Sequence, residues 1–261
     1  MNFEILIITC DKTQWILPLT FYFLNKYLPK NFTNKITILG FNKPNIEFSN
    51  NYNFKSLGEN QNINNWSNDI YNYTKTIDNE YIMFLLDDFF LLDHLRIDKL
   101  KQIFEIMDND KEIGICNIGY APQCIISNEI TKNKDNILIN DEDFFLFEQN
   151  SLYYQINCQP SIYRLSHFNR YFQVPNSPWK LELSSAHHSI KKKLISCSPL
   201  KKSNNKQVNF PEKNQQPIYK TQLRSALSAK QFPGKINMNY AKQEDIDELI
   251  KMGLIKPEQI L

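Results

Sequence analysis

The chain is expected to be an α/β protein in which a mostly parallel sheet carries helices on both faces. Three observations predict this. Short apolar runs alternate with stretches of helical period through the first half, an acidic pair, Asp87-Asp88, interrupts the apolar run Tyr81 to Leu92, and 261 residues suffice for one large domain with a full core.

Phe3-Glu4-Ile5-Leu6-Ile7-Ile8 reads as a first buried strand that ends at Thr9-Cys10-Asp11-Lys12. A helix is expected from about Trp15 to Leu28, because Trp15, Leu19, Tyr22, Phe23 and Tyr27 keep helical spacing, with Pro18 near the first turn and Pro29 as the stop. Lys35 to Phe41 supplies a second strand through Ile36, Ile38 and Leu39. Asn65 to Ile77 supplies a second helix, since Trp66, Ile70, Tyr73 and Ile77 fall on one face. The strand from Tyr81 follows directly. Asp98 is placed as the cap of a helix whose apolar face is Leu100, Ile103, Phe104 and Met107, and Ile113 to Ile118 gives a further strand.

The second half reads differently. Pro122 to Gln149 is polar with short apolar pieces, and is expected to be irregular or a small hairpin lying over the site. Tyr153 to Leu165 reads as a strand followed by a turn, Ser177 opens a helix, and Pro199 to Pro217 reads as a loop. Gln243 to Leu254 closes the chain with a helix bearing Ile246, Leu249, Ile250 and Leu254 on one side. No repeat or linker divides the sequence.

Composition excludes some classes of function. A formal net charge of +2 gives no reason to expect nucleic acid as a partner. The clusters Lys191-Lys192-Lys193 and Lys201-Lys202 read first as solvated, and second as a patch for peripheral contact with a membrane surface. Five widely spaced cysteines, an odd number, argue for a reducing compartment and against a disulfide framework or zinc site. The longest apolar stretch, Trp15 to Leu24, is too short to span a bilayer, so a cytoplasmic protein, at most at the inner face of a membrane, is expected.

Two ionised carboxylates side by side in apolar surroundings repel, and desolvation penalises both unless a cation or hydrogen-bond donors compensate. The economical arrangement ends the strand at Leu86 and sets Asp87 and Asp88 at its carboxyl end, where open α/β sheets bind ligands. A divalent metal carrying a phosphorylated ligand would fit there. The bland alternative is an acidic solvated turn, against which the Leu and Phe flanks argue.

Ser177-Pro178-Trp179-Lys180-Leu181-Glu182 is the second constellation. Ser177 suits an N-cap and Pro178 the first helical position. Glu182 lies too far along for a capping box, which would want an acid at Lys180. Trp179 and Glu182, three apart, share a helix face near a helix start that favours an ionised carboxylate. A surface Glu beside a core Trp is the competing reading.

The order of these features resembles the GT-A fold nucleotide-sugar glycosyltransferases, in particular the small bacterial and viral group related to family 2. The matching pieces are Thr9-Cys10-Asp11 after the first strand, the Trp66-Ser67 helix, Leu85-Leu86-Asp87-Asp88-Phe89 in place of the DxD signature, and Ser177-Pro178-Trp179 with Glu182 downstream. The resemblance runs to about His188. It implies a GT-A-like, Rossmann-type mixed sheet in a single domain over 1–261, with 1–118 the nucleotide-sugar half and 119–261 the acceptor half. Thr9, Cys10, Asp11, Trp66 and Asp87 would then contact the donor, Asp88 with Asp87 would hold Mn²⁺ or Mg²⁺, Trp179 would face the acceptor, and Glu182 would be the base. Which aspartate ligates the metal stays open, because only Asp-Asp of the signature is present. Implied partners are a nucleotide-sugar donor, a UDP-sugar first among them, and a glycan or lipid-linked acceptor, in surface polysaccharide or glycan synthesis with inversion. His187-His188 would be a third-ligand source only if the helix breaks before them. Two rivals stand beside this reading: a Mg²⁺-dependent phosphoryl or nucleotidyl transferase, whose common Gly-rich phosphate loop is missing from a chain with six glycines, and a non-catalytic nucleotide- or sugar-binding module.

Overall fold

The computed structural model describes residues 2–48, 51–59, 62–118, 137–140, 145–149, 156, 158–184, 193–198, 201–202, 208–209, 236, 238 and 241–260. Its main strands are β1 (Phe3–Ile8), β2 (Ile36–Gly40), β3 (Tyr52–Ser56), β4 (Tyr81–Leu86), β5 (Ile113–Asn117), β6 (Ile137–Asn140), β7 (Phe145–Gln149), β8 (Ser161–Arg164) and β9 (Lys193–Ser198). They form one sheet in the order β3-β2-β1-β4-β8-β5-β9-β7-β6. β3, β2, β1 and β4 are parallel neighbours, and only β7 and β8 run against the rest.

Side chains of β1 alternate between two apolar layers. Phe3, Ile5 and Ile7 pack with α1 (Leu17–Tyr27), α3 (Ile97–Asn109) and the C-terminal helix Gln243–Lys251. Leu6 and Ile8 turn to the other face, against Trp66 and Ile70 of α2 (Trp66–Thr74), Phe168 and Phe172 of the Leu165–Phe172 helix, and Leu181 of the Pro178–Ser184 helix. Helices therefore cover both faces, as expected. Each Leu or Ile fully buried in these layers contributes roughly 1.5–3 kcal/mol.

Two buried acids of this framework, Glu4 and Asp245, are paired with a lysine. Glu4, on β1, accepts hydrogen bonds from Thr37 (2.5 Å) and Tyr73 (2.7 Å) and lies 3.2 Å from the Lys35 ammonium. Asp245 on the C-terminal helix is fully buried, pairs with Lys26 of α1 at 2.7 Å and accepts from the Tyr27 hydroxyl at 2.7 Å. Arg164 holds Glu80 and the carbonyls of Ile113 and Met107, joining β8 to the end of α3.

Two of these expectations need correction, and two elements were not expected. Trp15 is 42% exposed, because a 3₁₀ turn at Gln14–Ile16 precedes α1 and its tighter period rotates Trp15 off the buried face. Asp98 does not cap α3: Arg96 holds the N-cap position, and Asp98 sits in the first turn bound to the Arg96 guanidinium at 2.9 and 3.1 Å. β3 and the Leu165–Phe172 helix were not expected. Within 122–149 the expected hairpin is present as β6 and β7, and it extends the main sheet through β9. Within 199–217, the described residues include a short antiparallel pair, Lys201–Lys202 with Val208–Asn209. Cys10, Cys116 and Cys158 are thiols, not joined in disulfides. No helix among the described residues is long and apolar enough to cross a membrane.

Candidate functional site

β1 and β4 are adjacent and in register, Ile8 opposite Leu86, so Thr9 and Asp87 leave the sheet together at its carboxyl edge. The Asp87 amide donates to the Ile8 carbonyl at 3.0 Å, and the Phe89 amide donates back to the Leu86 carbonyl at 3.2 Å. The acidic pair thus occupies the middle of a tight turn. It is not a solvated one: Asp87 is 5% exposed and Asp88 4%. The turn forms without Gly or Pro because the chain beyond it buries Phe89, Phe90, Leu91 and Leu92, with Phe90 stacked on Phe23 at 5.2 Å.

Three hydroxyls from one stretch of chain converge on Asp87. Thr9 and Thr13 both donate to its Oδ2, at 2.6 and 2.5 Å, and Thr20 of α1 donates to its carbonyl at 2.5 Å. Unlike Glu4 and Asp245, Asp87 has only neutral partners among the described residues. Burial pushes its carboxyl up to about 6, against the lowering pull of the Thr13 and Thr9 hydroxyls.

This placement has a measurable consequence. A carboxyl raised from 3.8 to about 6 binds its proton more tightly in the folded than in the unfolded chain. Its contribution to stability therefore falls as pH rises from about 4 to about 6, and at neutral pH the buried charge costs about 3 kcal/mol. Asp87→Asn removes the charge but keeps an oxygen for the threonine hydroxyls. The variant is expected to be more stable than the wild type at pH 7.5, with the advantage shrinking below pH 5 in thermal melts. A variant less stable at pH 7.5 would contradict this account of Asp87.

The loop after β1 is itself fixed. Thr13 and Gln14 amides donate to the Cys10 carbonyl at 2.9 Å, and half-buried Cys10 places its Sγ 3.3 Å from the Thr13 hydroxyl. Asp11 accepts from the Asn42 amide (3.3 Å) and side chain (2.5 Å), which ties the loop to the end of β2. Gly40 lets Thr9 approach, since a Cβ there would meet the Thr9 methyl at 2.8 Å.

Glu182 reaches the same edge by another route. β8 runs antiparallel to β4 with Ser161 opposite Phe84, so residues just before Ser161 lie level with the turn after β4. There the Cys158 amide donates to Glu182 Oε1 at 2.7 Å. Burial, then the neighbouring Glu182 carboxylate, drives the Cys158 thiol well above its ordinary range. Ser177 takes the Lys180 amide on its hydroxyl at 3.3 Å, so the helix carrying Glu182 is entered as expected. Trp179 on that helix is 60% exposed, and Leu183 63%.

Trp66 sits elsewhere. It is 7% exposed and packs on Phe172 at 5.7 Å, so its ring lies in the core instead of at the edge. The next residue has the more direct link to the site: the Ser67 hydroxyl donates to Val174 O at 2.7 Å and accepts the Asn176 amide at 2.8 Å, holding the segment that leads into the Glu182 helix. The structure thus brings Thr9, Cys10, Asp11, Asp87, Asp88 and Glu182 to one edge of the sheet. Thr13, Thr20, Asn42 and Cys158 are neighbours of these residues that the sequence does not single out as site candidates. His187 and His188 lie outside the described residues, as do Asp141, Glu142 and Asp143, the acids of the polar segment 122–149 that are the next candidates for a base if Glu182 is not one.

Among the described residues no group of three or more His, Cys, Asp and Glu could hold a metal ion. The donor set offered is a buried pair of carboxylates. That set suits Mg²⁺ or Mn²⁺ shared with a substrate's phosphate oxygens, a mode that needs only one or two protein carboxylates.

No family model matches the chain, and no curated protein matches it. Solved structures to which it is similar include S. aureus TarS 1-349 in complex with UDP-GlcNAc, at 12% identity over 84% of this chain and 60% of that one, with a TM-score of 0.44. A cytidylyltransferase from Leptospira borgpetersenii serovar Hardjo-bovis is 12% identical over 98% of both chains, with a TM-score of 0.46. The galactosyltransferase LgtC in complex with donor and acceptor sugar analogs is 12% identical over 64% of this chain and 59% of that one, with a TM-score of 0.38. The chain spans about three fifths of the length of the TarS 1-349 and LgtC chains.

Proposed function

We propose that the chain is a divalent-metal-dependent glycosyltransferase that moves a sugar from a nucleotide-sugar to an acceptor hydroxyl. The observation that carries this reading is the buried Asp87-Asp88 turn at the carboxyl end of β4, whose Asp87 is held by hydroxyls and by no cation among the described residues. A protein gains no stability from such a carboxylate, and a cation brought in with a ligand would balance it.

In this reading Asp88, with Asp87 behind it, would hold Mn²⁺ or Mg²⁺ against the donor diphosphate. The ion supplies charge neutralisation for the leaving nucleoside diphosphate. The loop Thr9-Cys10-Asp11 would bind the nucleotide, with a UDP-sugar the first donor to test. Glu182, oriented by the Cys158 amide, would accept the acceptor's hydroxyl proton as that oxygen attacks the anomeric carbon opposite the diphosphate, which inverts the configuration. The exposed Trp179 ring would support a glycan or lipid-linked acceptor, in surface polysaccharide or glycan synthesis.

The test is product formation with Mn²⁺ and UDP-, GDP-, TDP- and CMP-sugars, with simple glycosides as acceptors. Release of free nucleotide with a new glycoside supports the proposal. A phosphorylated or nucleotidylated acceptor would replace it with phosphoryl or nucleotidyl transfer, and binding without any product would leave a sugar- or nucleotide-binding module.

A further inference from the structure

We infer that Thr13 is a positioning residue of this site, tying the nucleotide-facing loop after β1 to the turn that carries Asp87 and Asp88. The inference rests on the reading of the acidic turn as a site for a divalent cation and a nucleoside diphosphate. It assigns work within that site.

The geometry is specific. Thr9 and Thr13 donate to the same oxygen, Asp87 Oδ2, so that oxygen already has two short hydrogen bonds from the protein. Thr20 secures the Asp87 carbonyl, and Ile8 the Asp87 amide. Asp87 is thereby held at three of its polar groups by the segment 8–20.

The bonds also couple two binding elements. Thr13 begins the helical turn that returns on the Cys10 carbonyl, while Asp11 between them is pinned by Asn42. A nucleotide resting on residues 9–11 therefore contacts a loop whose position is set by Asp87, and a cation on Asp88 contacts a turn set by Thr13. Without the Thr13 hydroxyl the loop and turn lose one of their two side-chain ties to Asp87 Oδ2. Nucleotide and cation would then each bind without helping the other.

Thr13→Val keeps the shape and removes the donor; Thr13→Ser keeps the donor. Calorimetry with UDP, GDP and TDP, each with and without Mn²⁺, together with thermal melts, reads the outcome. Thr13→Val should weaken Mn²⁺-dependent binding of the preferred nucleoside diphosphate about tenfold, the worth of one hydrogen bond to a charged group. Its metal-free binding should change less, and Thr13→Ser should recover wild-type affinity within about twofold. The inference is overturned if Thr13→Val binds as the wild type does, if serine does not restore affinity, or if metal-free and metal-dependent binding fall equally. If the wild type itself shows no Mn²⁺-dependent binding of any of the three nucleotides, the glycosyltransferase reading fails with it, a result distinct from a wild type that binds and a valine variant that binds equally well.

Discussion

Glu182→Gln is expected to slow the chemical step by roughly 10²–10⁴-fold, the usual worth of a positioned general base. Donor affinity should stay within a few fold, because Glu182 faces the acceptor in the proposed arrangement. The substitution suits the structure. Glutamine retains a carbonyl oxygen for the Cys158 amide that now donates to Oε1 at 2.7 Å, so the helix should keep its place. Single-turnover kinetics with the best donor and acceptor separates chemistry from binding. A glutamine variant that turns over at the wild-type rate would make Glu182 a structural residue whose task is to receive the Cys158 amide, and Asp141, Glu142 and Asp143 would be tested next.

Asp88→Asn is expected to abolish Mn²⁺-dependent donor binding while the protein remains folded. The change removes a ligand, and it also removes repulsion from Asp87 next to it in a turn where both residues are almost wholly buried. Stability should therefore hold or rise while binding is lost, the opposite of what a packing residue would show. Calorimetry of the preferred donor with and without Mn²⁺ decides it. Unchanged Mn²⁺-dependent affinity in the variant would remove Asp88 from the metal site.

Much of the scaffold was legible because its strands are buried on both faces. β1, β2, β4 and β5 read as apolar runs, and their bounds agree closely with expectation. β3 escaped because it is an edge strand: in Tyr52–Ser56 only Tyr52 is buried, so the pattern lacks the apolar density of its neighbours. The Leu165–Phe172 helix escaped because it follows β8 without a capping side chain, leaving no boundary signal between strand and helix.

The acidic pair was legible for the opposite reason, as charge where apolar residues belong. Its environment was not. The bonds from Thr9, Thr13 and Thr20 exist only because β1 and β4 are neighbours in the sheet, a relation that no local spacing encodes. Trp66 illustrates the converse limit. Helical period identifies an inward-facing residue, but it cannot distinguish a core ring packed on Phe172 from a platform for a ligand. The exposed Trp179 and the half-buried Glu182 three residues later were likewise separable only once the helix had a position on the sheet.

The central claim is that the turn after β4 is a cation site completed by a nucleoside diphosphate. Anomalous diffraction from crystals grown with Mn²⁺ and UDP tests it most directly. The account predicts one Mn²⁺ at the carboxyl end of β4, coordinated by Asp88 and the diphosphate, with Asp87 still held by Thr9 and Thr13. Ordered UDP with no anomalous peak at Asp87-Asp88, or a Mn²⁺ bound away from this turn, would contradict it.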